Sequence, residues 1–175
     1  VIGGGFIGLE IAENLRERGV DVTIVDMSSQ VMAPIDFEMA QIVHTHLREK
    51  GVQLLLEENV SAILDGGKKV RLDSGIELES DMILLAIGVM PESTIAKEAG
   101  LEVGVKGAIK VNEHLQTSDP SIYAVGDVIE VKDYIHGTDT YIPLAWPANR
   151  QGRLVADHIH GKEVVYHGTL GTSIA

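Results

Sequence analysis

Cysteine is absent from these 175 residues. That excludes disulfides, thiolate metal sites and a cysteine nucleophile within the stretch. Positive charge is scarce: 14 Lys and Arg stand against 26 Asp and Glu, a formal net charge of −12. A chain this acidic repels a phosphate backbone, so no nucleic-acid partner is expected. No apolar run reaches the roughly 18 residues of a membrane span, and no charged-then-apolar leader is present. No membrane partner and a cytoplasmic location are therefore expected. The histidines show no metal spacing either. His44 and His46, like His158 and His160, lie two apart on expected helices and so point to opposite faces, whereas a shared metal needs i, i+3 or i, i+4. No Ser-His-Asp constellation has supporting motif context, and there is no internal repeat or low-complexity tract. An initiator Met and a lead-in are lacking too: the chain opens inside a strand at Val1-Ile2. It ends at Leu170 to Ala175 in what reads as the middle of something, so a piece of a longer polypeptide is expected. The length allows one ordinary domain or two small ones.

What is present is organised around Val1-Ile2-Gly3-Gly4-Gly5-Phe6-Ile7-Gly8-Leu9-Glu10. This reads as the end of a buried strand, a glycine turn and the opening of a helix. Gly3, Gly5 and Gly8 fit G-x-G-x-x-G. Gly3 serves the tight turn, Gly5 lets a pyrophosphate approach the backbone, and Gly8 lets the helix pack close to the sheet. The amides and dipole of that helix N-terminus then favour phosphate oxygens. The helix carries Ile7, Ile11 and Leu15 at i, i+4 spacing, with Gly8 and Ala12 as a small contact face, and closes at Arg16-Glu17-Arg18-Gly19. A second apolar strand, Val22 to Val25, ends in Asp26, which is 26 − 3 = 23 positions past the first glycine. A ribose-binding carboxylate is expected about 20 positions on. The unit predicts dinucleotide binding.

Further along, Asp36 is a plausible N-cap for a helix whose buried face is Ala40, Val43 and Leu47. Val52 to Leu56 is a third strand, parallel to the others because the crossovers are helical. Three short runs, 60–64, 69–72 and 76–78, are split by Asp65-Gly66-Gly67 and Asp73-Ser74-Gly75, and so predict an antiparallel meander. Met82 to Ile87 is almost continuously apolar and predicts a buried parallel strand that stops at Gly88. Beyond Pro91 the spacing predicts a short helix over 93–99, strands over 108–111 and 122–125, a Tyr- and Pro-containing loop, and a helix over 148–160. The second of those strands ends in Gly126-Asp127, the second strand-to-glycine ending.

Three motifs in order resemble the pyridine nucleotide-disulfide oxidoreductases, a two-dinucleotide flavoprotein family. The nearest branch is that of coenzyme A-disulfide reductases, NADH oxidases and NADH peroxidases. The first motif is Val1 to Glu10 with Asp26, and the second is Leu84 to Pro91. The third, Leu115-Gln116-Thr117-Ser118-Asp119-Pro120-Ser121-Ile122-Tyr123-Ala124-Val125-Gly126-Asp127, resembles the family's flavin signature and is the most specific. Pro143-Leu144-Ala145 and Ala148 to Arg153 resemble the flavin-side loop and helix.

The resemblance implies an α/β fold: a Rossmann-like, three-layer β/β/α NAD(H)-binding domain with an antiparallel meander over 1–92, then the C-terminal half of an FAD-binding domain over 93–175. It implies that Gly3, Gly5 and Gly8, with Ile7 beside them, hold the NADH pyrophosphate and that Asp26 holds the adenine ribose. NADH is favoured over NADPH, because Asp26 repels a 2′-phosphate and Met27-Ser28-Ser29-Gln30 offers no cation for one. Phe6 stands where the family often has a flavin-covering Tyr, and Glu10 matches an acid near the nicotinamide end. Gly88 borders the NADH groove, and Met90 replaces a common basic residue. Gly126 and Asp127 would serve the FAD, Asp127 accepting from its hydroxyls, while Leu144 and Ala145 present backbone to the flavin edge. Trp146 occupies a position that is often small. The implied function is hydride transfer from NADH to FAD and on to a small molecule: a disulfide such as coenzyme A disulfide, peroxide or oxygen. The redox cysteine would belong to a segment preceding Val1, and the full-length protein would be a homodimer.

Two rivals stand beside this reading. A non-catalytic dinucleotide-binding regulatory module needs the glycine unit but has no use for the signature ending at Asp127. A single-cofactor Rossmann dehydrogenase needs a catalytic His, Lys or Tyr that no motif supplies.

Overall fold

The computed structural model describes residues 1–172, and the chain divides into two compact units, Val1–Gly88 and Val89–Ala175. The first contains α1 (Phe6–Glu17), β1 (Thr23–Asp26), α2 (Phe37–Glu49), β2 (Gln53–Leu56), β3 (Val60–Leu64), β4 (Lys69–Leu72) and β5 (Glu77–Glu79). β1 and β2 pair in parallel, from Thr23 opposite Gln53 to Asp26 opposite Leu56. Ile2 lies on the other side of β1, in parallel bridges to both Val25 and Leu85. The order β2–β1–Ile2–Leu85 is the 3-2-1-4 order of a doubly wound sheet.

Successive side chains of β1 serve opposite faces, as strand geometry demands. Ile24 joins Ala12, Val22, Val31, Met32, Leu47 and Val52 in the core, to which α1 and α2 contribute Ala12 and Leu47. Val25 joins Val70 and Leu72, with Leu55, Val60, Leu78 and Ile83 packed against them. The antiparallel sheet β3–β4–β5 therefore covers one face of the parallel sheet and the helices the other. That is the expected β/β/α layering. Along α1 the fully buried residues are Gly8 and Ala12; Ile7, assigned above to the apolar face, is 55% exposed. The helix sits so close to the sheet that its small residues make the contact and the larger Ile7 is displaced to the flank. Asp36 is the N-cap of α2 by position, but its side chain makes no capping hydrogen bond.

The run Met82–Ile87 departs from expectation. It is extended and pairs with Ile2 (Ile2 N–H to Leu84 O 2.8 Å, Ala86 N–H to Ile2 O 2.7 Å), yet it forms one bridge and no continuous strand. Ile83 packs against the meander-side core, whereas Met82, Leu85 and Ile87 are 65%, 63% and 72% exposed.

The second unit contains α3 (Thr94–Glu98), β6 (Val131–Lys132), β7 (Asp139–Thr140) and α4 (Ala145–Ile159). The segments 108–111 and 122–125 are not strands but carry isolated bridges: Ile109 to Val103 and Ile129, and Tyr123 to Gln116. Ile122 is 39% exposed, so the second segment is not a buried strand either. The small β6–β7 hairpin had no counterpart in the sequence reading. α4 starts at Ala145, ahead of the expected 148, because Pro147 falls in the first turn, where its missing N–H costs nothing. The core here is Leu115, Ile129 and Val131, with Leu154 and Val155 of α4 packed against it.

Candidate nucleotide sites

In the first unit the glycine turn is built by exclusion. Gly3 has φ +105°, and a Cβ there would lie 2.3 Å from the Ala86 carbonyl oxygen. A Cβ on Gly8 would lie 2.0 Å from the Gly3 carbonyl oxygen. No side chain fits at either position. Gly5, the N-cap of α1, has the opposite surroundings, since a Cβ there would meet nothing within 4 Å. The two outer glycines lock the turn and the middle one leaves open space at the helix start. No side chain caps α1, and no acid lies in its first turn. The first-turn amides of a helix lack intrahelical partners, so this end can receive an anion.

Asp26 completes the site from the end of β1. Its Oδ2 accepts from Gly4 N–H at 2.5 Å and its Oδ1 from Ser28 N–H at 2.7 Å. A carboxylate has about four lone-pair sites, so each oxygen can accept a further hydroxyl. The structure thus brings Gly3, Gly5, Gly8 and Asp26 together through Gly4. Phe6 is half-buried and packs against the helix-side core, while Ile7 and Glu10 are exposed on α1. Gly88, with φ +91°, is exposed with open space around it; Met90 is exposed as well.

Sequence reasoning missed a support beneath this turn. The segment after Asp26 brings Met32 N–H to the Gly4 carbonyl at 2.8 Å. One residue earlier, Val31 N–H donates to Nε2 of His44 at 3.1 Å, and both residues are buried. The acceptor role requires the Nδ1–H tautomer of a neutral imidazole. Burial, and then the Arg48 guanidinium, push the His44 pKa down, favouring that neutral form. The signal was available: His44 falls in the Ala40–Leu47 stripe, where an apolar residue belongs.

In the second unit Gly126 has φ +80° and its N–H donates to Oε1 of Gln151 at 2.7 Å. Gln151 is 2% exposed, and its Nε2 donates to the Tyr166 hydroxyl at 3.0 Å. That hydroxyl meets Thr169 Oγ1 at 2.5 Å. This chain of hydrogen bonds, anchored on the buried Gln151 and Thr169, fixes the backbone just before Asp127, whose side chain is left exposed. Burial, and then the Asp127 charge, raise the pKa of Tyr141 above the ordinary phenol value. Leu144 is the N-cap of α4 and Ala145 its first, exposed residue. Trp146 is 48% exposed and lines an open groove with Ala145, Asn149, Arg150, Arg153 and Leu154. It does not pack into the core.

The family description "Pyridine nucleotide-disulphide oxidoreductase" matches residues 1–152. The chain belongs to this family. It is 40% identical over 178 residues to an NADH oxidase of Methanocaldococcus jannaschii, covering 100% of this chain and 39% of that protein. It is 35% identical over 176 residues to a coenzyme A disulfide reductase of Staphylococcus haemolyticus, covering 99% of this chain and 39% of that protein. Among solved structures, the reduced CoADR-RHD of Bacillus anthracis superposes with a TM-score of 0.97 at 61% identity, over 99% of this chain and 31% of that one. Family members of this fold include FAD-dependent and NAD-dependent enzymes. The chain thus spans about two fifths of the length of the curated relatives it matches. No helix among the described residues is long and apolar enough to cross a membrane.

Proposed function

We propose that this chain is the NAD(H)-binding part, and one portion of the FAD-binding part, of an NADH- and FAD-dependent oxidoreductase. That enzyme acts on a small molecule: a disulfide such as coenzyme A disulfide, peroxide or oxygen. The observation that carries the reading is the glycine turn, locked at Gly3 and Gly8 and open at Gly5, next to a carboxylate with acceptor capacity to spare. Residues 1–92 bind NAD(H) and residues 93–175 belong to the FAD side. When bound, NADH supplies a hydride and FAD accepts it.

The chain's own residues hold and orient. The amides opening α1, around Phe6, Ile7 and Gly8, receive the pyrophosphate. Asp26 accepts the ribose hydroxyls and repels a 2′-phosphate, and Met27 to Gln30 supply no compensating cation. Phe6 and Glu10 border the nicotinamide end, and Gly88 borders the NADH groove. Asp127 accepts hydroxyl donors of the FAD from the turn that Gly126 makes, and Leu144 and Ala145 offer backbone to its ring edge. The redox cysteine lies outside these 175 residues, since they contain none. The whole protein is a cytoplasmic homodimer.

Isothermal titration of the purified chain tests this. NADH and ADP-ribose are expected to bind, and NADPH at least tenfold more weakly. No NADH oxidation is expected from the chain by itself. A preparation that stays yellow through purification and oxidises NADH overturns the division of labour; a folded chain that binds no nucleotide overturns the assignment.

A further inference from the structure

Met32 is the strained point of the loop between Asp26 and α2. It holds φ +53° although it is not glycine, and it is buried. Such a conformation costs on the order of 1 kcal/mol and persists only where the surroundings over-determine it. Three hydrogen bonds donated by main-chain N–H groups do so here. Val31 N–H goes to His44 Nε2 at 3.1 Å. Met32 N–H goes to Gly4 O and Ile35 N–H to Met32 O, at 2.8 and 2.9 Å. The second of these lands on the nucleotide turn itself. Gly4 in turn donates to Asp26, and a Cβ on Gly4 would lie 2.9 Å from the Val31 side chain. One contiguous path therefore runs from His44 through the strained loop to Gly4 and on to the Asp26 carboxylate. Of these bonds only the first depends on a side chain outside the loop and the turn.

We infer that His44 is a positioning residue for the dinucleotide site: by accepting the Val31 N–H it holds the loop that sets Gly4 and Asp26 for the adenosine half of NADH. This rests on the reading of that site as the NAD(H) site. His44 touches no nucleotide in this account; it acts through Val31 and Met32. A purely structural histidine would affect how much protein is folded and not how well the folded fraction binds.

The test uses the whole chain and ADP-ribose, the part of NADH that meets Gly4 and Asp26. His44→Leu keeps bulk and removes the acceptor. His44→Gln restores an acceptor at about the reach of Nε2. With folding verified by circular dichroism, titration calorimetry is expected to give His44→Leu an affinity about tenfold lower than wild type, an effect the size of one lost buried hydrogen bond. His44→Gln is expected within about twofold of wild type. Folded His44→Leu with wild-type affinity overturns the inference and leaves the site assignment standing. Wild-type protein that binds no ADP-ribose overturns both. Should His44→Leu not fold, native-state hydrogen exchange on wild-type protein decides. Saturating ADP-ribose must slow exchange at Val31 and Met32 as well as at Gly4 to Gly8, because a ligand protects what must be closed for it to bind. Protection confined to Gly4–Gly8 overturns the inference.

Discussion

The two glycine turns, at Gly3–Gly8 and at Gly126, each combine a positive-φ glycine with an acid, but are held by different means. In the first unit, backbone holds backbone: Gly3 and Gly8 are pressed against carbonyl oxygens with no room for a methyl group, and both oxygens of Asp26 are met by main-chain N–H groups. In the second, Gly126 has only the Ala148 methyl near it, at 3.6 Å from a would-be Cβ. Its N–H is fixed by a buried side chain, Gln151, which depends in turn on Tyr166 and Thr169. One turn is enforced by sterics and the other by a polar relay. Steric enforcement tolerates no substitution at the turn; a relay concentrates the sensitivity at a residue remote from it in sequence.

Four measurements would break or sharpen that contrast. The largest effect is expected at Gly8. Gly8→Ala drives a methyl into the Gly3 carbonyl, and overpacking against backbone should remove roughly 3 kcal/mol or more of stability, with loss of NADH binding, as read by urea unfolding and titration. Gln151→Leu comes next. It leaves the Gly126 N–H without its acceptor, at about 1–3 kcal/mol, while the Tyr166 hydroxyl keeps Thr169. Urea unfolding should show that cost with NADH binding intact, and a loss of NADH binding would end the separation of the two turns. Gly126→Ala is milder, because φ +80° strains any side chain but space is available; about 1–2 kcal/mol is expected. If Gly126→Ala cost as much as Gly8→Ala, the steric distinction would fail.

The smallest effect is in pH. The His44 pKa is lowered in the folded state, by burial first and then by Arg48. Below about pH 6.5 the unfolded chain therefore takes up a proton that the folded chain refuses. Stability falls as pH falls through the window between that value and the depressed folded one, at no more than about 1.4 kcal/mol per pH unit. Below the folded value this contribution levels off. Urea midpoints at pH 7.5 and 5.5 should differ more for wild type than for His44→Gln.

Much of the first unit was legible because its signals are local. Glycines at fixed offsets, the Val22–Asp26 run and the paired turn residues at 65–67 and 73–75 each specify a conformation within a few residues. Periodicity overstated Ile7, because a helix lying close on its glycine and alanine leaves no room for the larger neighbour. It overstated Met82–Ile87 too, since an apolar run does not reveal that only Leu85 bridges and that Met82, Leu85 and Ile87 stay exposed. The second unit was less legible. Gln116–Tyr123 and Ile109–Ile129 are single bridges between irregular segments, and no period marks those. Gln151 and His44 are polar residues on helix faces whose partners are main-chain N–H groups elsewhere in the chain. A linear pattern shows such residues as anomalies at best, and their roles appear only when the distant amide is located.

The pairing of Ile2 has a kinetic consequence. Ile2 is an inner rung of the sheet, and one of its partners, Leu85, is 85 − 2 = 83 positions away. Closing so long a loop is entropically slow. The rung carrying the nucleotide turn should therefore lock late in folding, after the helices and the meander between its two ends have formed.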